Sequence, residues 1–132
     1  MKGIGSNVSK GLSQMSMCVC ADNSGAKEVR IISVMHHKTR KRMKPKAGIA
    51  DLVNVVVKKG KPEIRKKVEM AVIVRVKMPF RRPNGLRVCF EDNAVVLVDE
   101  KGVPKASEIK GVVAKEVGER WPKVAGLASA VI

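Results

Sequence analysis

The stretch VEMAVIVRVKM, residues 68–78, decides the fold. Within it Val72, Val74 and Val76 recur at every second position, with Arg75 and Lys77 among the residues between them. A period of two belongs to a β-strand with two unlike faces, because successive side chains leave a strand on opposite sides. The valine face needs a second layer to cover it. The other face carries cations and is expected to meet an anion.

Working outward, runs rich in β-branched residues lie on both sides: MSMCVC at 15–20, EVRIISVM at 28–35, IADLVNVVV at 49–57, LRVCF at 86–90 and NAVVLV at 93–98. Polar or charged turns separate them, namely ADNSGAK at 21–27, the basic run from His36, KKGKPEIRKK at 58–67 and PFRRPNG at 79–85. Six short strands joined by brief loops suggest a small closed or nearly closed antiparallel barrel, since closure removes the exposed edges that recruit other strands. After Glu100 the composition shifts towards Ala, Lys and Glu, and Val113, Val117 and Trp121 fall at helical spacing. Gly118 weakens that helix and Pro122 ends or restarts it, so two short helices are expected within about 105–132. Residues 1–14 have no consistent period and read as a flexible arm, with residues 15–132 forming one domain. A chain of 132 residues suits a single core.

Only Phe80, Phe90 and Trp121 are aromatic, so the core must be aliphatic. The net charge of +15 is segregated: residues 27–89 hold nineteen Lys and Arg against four acids, while the flanking segments nearly balance. From 36 to 46 there is no acid at all. A solvated surface kept charged for solubility would mix both signs. A block of one sign suits a polyanion, whose condensed counterions are released when cations neutralise its phosphates. The start, MKGIGSNVSKGLSQMS, lacks the apolar centre of a signal peptide, and the longest apolar runs are too short to span a bilayer. Three cysteines fit a reducing compartment better than a disulfide framework, so a cytoplasmic protein with no membrane contact is expected.

Candidate binding residues fall in three clusters. The first is Lys38, Arg40, Lys41, Arg42, Lys44 and Lys46; the second is Lys58, Lys59, Lys61, Arg65, Lys66 and Lys67; the third is Arg75, Arg81, Arg82 and Arg87. Loops on a rigid scaffold hold cations at fixed separations, which matches a folded RNA whose phosphates are also fixed. Single-strand binding by base stacking needs flat rings, and Phe80 is the main candidate, so phosphate and shape contacts are favoured. Glu91 and Asp92 sit beside the third cluster, where acids orient arginines or accept turn N–H groups; the plain alternative is a solvated loop. Cys18, Cys20, Cys89, His36 and His37 lack zinc-site spacing, and buried thiols with loop histidines explain them without a metal. KKGKPE lacks the spaced glycine and the Ser or Thr of a phosphate-binding loop, and Ser24 reads as a turn hydroxyl. No catalytic arrangement and no cofactor site is indicated.

One spacing is familiar: AVIV at 71–74, nine residues, NG at 84–85, four residues, Phe90, two residues, Asn93, two residues, then VL. With ADNSGAK, IISV at 31–34, VKKGKPEIRKK at 57–67 and GERWPKVAGLAS at 118–129, in that order, the chain resembles the universal large-subunit ribosomal protein family fourteen. FEDNA and the Trp121-Pro122 pair look more like its archaeal and eukaryotic branch. The similarity runs from about Cys20 to Ile132. It implies a five-stranded antiparallel barrel with a projecting β-ribbon and two short C-terminal helices, so one of the six strands would belong to the ribbon. It also implies a structural, non-enzymatic role in the large ribosomal subunit, bound to its RNA and beside other large-subunit proteins. The same resemblance puts the chain near the factor-binding region, facing small-subunit RNA. By position, Arg81, Arg82 and Arg87 would belong to the signature hairpin and 58–67 to an RNA-facing loop. A free RNA chaperone is the rival reading, and needs stacking rings on an open face.

Overall fold

The computed structural model describes residues 2–132. Five strands close into a barrel: β2 (Met17–Cys20), β3 (Ala26–Val34), β5 (Leu52–Gly60), β6 (Val68–Arg75) and β9 (Ala94–Val98), in the order β2-β3-β5-β6-β9. Four ladders are antiparallel, and the fifth, β2 with β9, is parallel. Parity requires this. Strand directions cannot alternate all the way round a ring with an odd number of members, so one seam must pair strands of the same sense.

The sixth expected strand shrinks to β8 (Arg87–Val88), which pairs with β7 (Phe80–Arg81) in a separate hairpin outside the barrel. Two further short ladders complete the sheet content: β1 (Leu12–Ser13) with β4 (Lys46–Ala47), and β10 (Ile109–Val113) with β11 (Ala128–Val131). The two expected helices are present as α1 (Lys115–Arg120) and α2 (Pro122–Gly126), each at most six residues long. Pro122 opens α2, where its missing N–H costs nothing. No helix among the described residues is long and apolar enough to cross a membrane.

The core is aliphatic, as the scarcity of rings requires: Val29, Ile31, Val53, Val55, Val57, Ile73 and Leu97 are all fully enclosed. Burial alternates cleanly along β2, whose Cys18 and Cys20 point inward while Met17 and Val19 stay exposed. It does not alternate along β6 or β9. Every residue from Ala71 to Val76 and from Ala94 to Val98 is buried, because the C-terminal segment covers the outside of these strands. Ala114 N–H donates to the Val74 carbonyl and Lys105 N–H to that of Leu97. Both faces of 72–77 are therefore buried, a bulge between Ile73 and Arg75 interrupts the alternation, and of the two cations expected outside only Lys77 is exposed.

The arm is also seated. Asn7 forms a bridge with Arg81, Leu12 is buried in its ladder with Ala47, and Ser6 is buried with its hydroxyl on Glu116 at 2.7 Å. Lys10 binds the buried Asp51 at 2.5 Å, and Arg120 donates to the Lys2 carbonyl. Each contact is made to a residue far along the chain. Such contacts have no period, which is why the arm reads as free in the sequence.

Candidate nucleic-acid interface

Strand directions sort the cation clusters. Because β5 is antiparallel to both β3 and β6, the segment 35–51 leaves the barrel at the end where β6 also finishes. The β7–β8 hairpin follows β6 and lies at that same end, while the 61–67 turn lies at the other. The arm ties the first two together: Asn7 N–H donates to Arg81 O at 3.1 Å, the Ser9 hydroxyl to Pro79 O at 2.9 Å, and β1 pairs with β4. The first cluster and the hairpin thus form one surface around residues 7–10, and the second cluster stands apart.

The hairpin is built by its turn. Gly85 N–H donates to Arg82 O, Arg82 N–H to Leu86 O, and Leu86 N–H to the Asn84 side chain, with Gly85 at φ +87°. Only glycine enters that region without strain. The register sets Arg81 directly opposite Arg87, both exposed. Like charges facing each other across a ladder are destabilising on their own. They border a cleft of about 300 Å³ that Asn7, Ser9 and Pro79 also line. An anion between the guanidinium groups converts the repulsion into two attractions.

The 61–67 turn is equally ordered. Ile64 and Arg65 N–H groups donate to Lys61 O, Lys66 N–H donates to Val57 O, and half-buried Ile64 packs on the core. Arg65, Lys66 and Lys67 are thereby held outward.

Fourteen of the sixteen sequence-predicted cations are exposed; of these, Lys59 pairs with Glu28 at 3.2 Å, and the other thirteen have no ion pair among the described residues. Two cations are not on the surface. Arg75 is buried, with Nε and Nη2 on the Asp92 carboxylate at 2.8 and 3.2 Å and Nη1 on the carbonyls of Lys110 and Val112. Arg82 is buried against Glu116, which has no exposed surface; Nε and Nη2 meet its two oxygens at 2.8 and 3.2 Å, and Nη2 also reaches the Ile132 carbonyl. Both guanidinium groups spend most of their donors inside the protein. Asp92 does orient an arginine, as its sequence position suggests, while Glu91 is exposed and Asn93 accepts from Lys77 N–H.

The hydrogen bonds settle Glu116's charge. Its burial opposes ionisation, but those from Arg82, Ser6 and its own amide outweigh this and hold its carboxyl below the ordinary value. Phe80, the expected stacking ring, is 2% exposed, with Arg82 lying 5.8 Å over it, so it offers no face to a base. Cys18 and Cys20 are buried thiols, each pushed up to about 12 chiefly by burial, and Ser24 closes a turn on the buried Asp22. No three His, Cys, Asp or Glu side chains converge on a metal position among the described residues. Sequence reasoning missed Asn7, Ser9 and His37 as surface-forming residues. For His37 the signal was available, since it is a flat ring within an otherwise cationic run.

This architecture defines a class: a small β-barrel protein whose cations are displayed on ordered loops. The sequence profile of ribosomal protein L14p/L23e matches residues 11–132, and the chain belongs to that family. Three archaeal proteins called large ribosomal subunit protein uL14 are similar to it. That of Methanocorpusculum labreanum is 50% identical over 132 residues, covering 100% of both chains, and that of Methanoregula boonei is 49% identical over the same span. The Nitrosopumilus maritimus protein is 57% identical over 114 residues, covering 86% of this chain and 81% of its own. The family resemblance in the motifs is therefore correct, and with it the five-stranded barrel. The chain is a structural ribosomal protein and not an enzyme.

Proposed function

We propose that the chain is a structural constituent of the large subunit of the cytoplasmic ribosome, where it binds folded ribosomal RNA through two cationic surfaces. One is the 36–46 loop with Arg81 and Arg87; the other is the 58–67 turn. The observation that carries this reading is the Arg81–Arg87 pair, two exposed like charges held face to face at the mouth of a cleft. Ordered loops suit a prefolded partner, because neither side loses much freedom on contact. Phosphate contacts of this kind set position and orientation without reading sequence. The near-neutral C-terminal segment is suited to neighbouring large-subunit proteins, and the remaining outer surface to the face that meets small-subunit RNA and translation factors. A free chaperone acting on single strands is disfavoured by the burial of Phe80.

The test is the double variant Arg81→Glu/Arg87→Glu against a large-subunit RNA fragment over a salt series. Affinity falls at low salt, the deficit narrows as salt rises, and the slope of log affinity against log salt is shallower by roughly 0.7–0.9 per lost phosphate contact. Unchanged affinity at low salt removes the pair from the interface. In lysate sedimentation the wild-type chain travels with large subunits; a chaperone stays in the light fractions.

A further inference from the structure

Beside the arm lies a second cavity, of about 480 Å³, lined by His37, Thr39, Arg42, Met43, Lys44 and Lys46. Lys10 also borders it but is engaged by Asp51. Arg42, Lys44 and Lys46 are exposed and form no ion pair among the described residues. The loop that shapes the cavity is closed on itself, with the Thr39 hydroxyl donating to Met43 O at 2.8 Å. It turns sharply enough to place His36 at φ 59° and Arg42 at φ 62°.

His37 is the distinctive group. Its Nδ1 lies 3.0 Å from the Lys46 carbonyl, and a carbonyl only accepts, so Nδ1 carries the proton and the ring plane is fixed. Nε2 has no hydrogen-bond partner among the described residues. A phosphate alone does not need a flat ring, an apolar Met43 or a cavity of this size. A nucleotide uses all three.

We infer that this cavity takes a single unstacked nucleotide, its base on the His37 ring and its phosphate on Arg42, Lys44 and Lys46. The inference rests on the RNA-binding reading above and adds base stacking to it. An imidazole is an effective stacking surface for a base extruded from an RNA loop or bulge. Phe80 is buried, and of the two exposed histidines in the cationic run only His37 borders the cavity, so among the described residues this is where an extruded base meets a ring and unpaired cations together.

The full-length protein with isotope-labelled histidines is titrated with adenosine 5′-monophosphate, adenosine and inorganic phosphate. Ring-current shifts of the His37 signals appear with the monophosphate, weakly with adenosine, and not with inorganic phosphate. His37→Ala weakens monophosphate binding by about 5- to 160-fold, the range for one lost stacking contact, and His37→Phe restores it. Equal response to inorganic phosphate, or no response to any probe, overturns the inference. Affinity for the large-subunit RNA fragment is measured on the same sample. Retained RNA binding with a silent His37 defeats the nucleotide site alone, whereas loss of both defeats the interface itself.

Discussion

Replacing Arg82 with Met keeps an unbranched apolar side chain and deletes the guanidinium, which leaves the wholly buried Glu116 with Ser6 as its remaining side-chain donor. Stranding one member of a buried pair costs about 3–5 kcal/mol. A ceiling on the penalty of the stranded charge alone follows from proton uptake. Glu116 escapes its unpaired charge by taking a proton, and at pH 7, with an ordinary value of 4.5, that costs roughly 3.4 kcal/mol at about 1.36 per pH unit. The expected loss is therefore about 3 kcal/mol at pH 7 and roughly 1 at pH 5, where the proton is more available. In thermal melts this is a fall in Tm of about 10–15 °C at pH 7, narrowing on acidification. The double variant Arg82→Met/Glu116→Leu removes both charges and recovers most of the loss, because an apolar pair needs no partner. A single-variant loss under about 1 kcal/mol at pH 7, or a double variant no better than the single, would refute this account of the clasp. Where Arg82→Met is folded, its RNA affinity stays within about twofold of wild type, which separates the buried arginine from the exposed Arg81.

Glu116 is also a source of acid sensitivity: its folded pKa is depressed, so its stabilisation is full above the unfolded value and is lost as pH falls through the folded one. Glu116→Gln accordingly flattens the decline in stability below about pH 4.5 in urea melts, and an unaltered slope would assign the decline elsewhere. Gly111→Ala costs about 1–3 kcal/mol in chemical denaturation, since φ is +79° and the new Cβ lies 2.4 Å from Nη1 of an Arg75 that cannot move without releasing Asp92. In native alkylation followed by mass spectrometry, exposed Cys89 reacts first, while Cys18 and Cys20 react only after unfolding.

The barrel was legible because strand patterning is local: Val72, Val74 and Val76 show their period within five residues, and Pro122 marks the helix break in place. What escaped is what depends on a second layer. Arg75 occupies an outward position on its strand, and nothing nearby in sequence announces that residues 110–112 will cover it. Arg82 differs from Arg81 only by alternation in a hairpin two residues long, too short for a periodic signal, yet one is enclosed and the other open. Segregated charge correctly located the cation-bearing loops. It could not reveal that the first and third clusters share one end of the barrel and the second lies opposite, because that follows from strand sense.

The parallel seam has a consequence for how the molecule is made. It joins Val19 to Ala94 and Cys20 to Val95, so a nascent chain cannot complete the ring until nearly three-quarters of it has been translated. Until β9 arrives, both β2 and β6 present open edges that attract unrelated strands. Glu116 emerges later still, so Ser6 waits for a partner 110 residues further along the chain before that part of the arm is seated. The interval between these events is when a newborn copy is most vulnerable to aggregation.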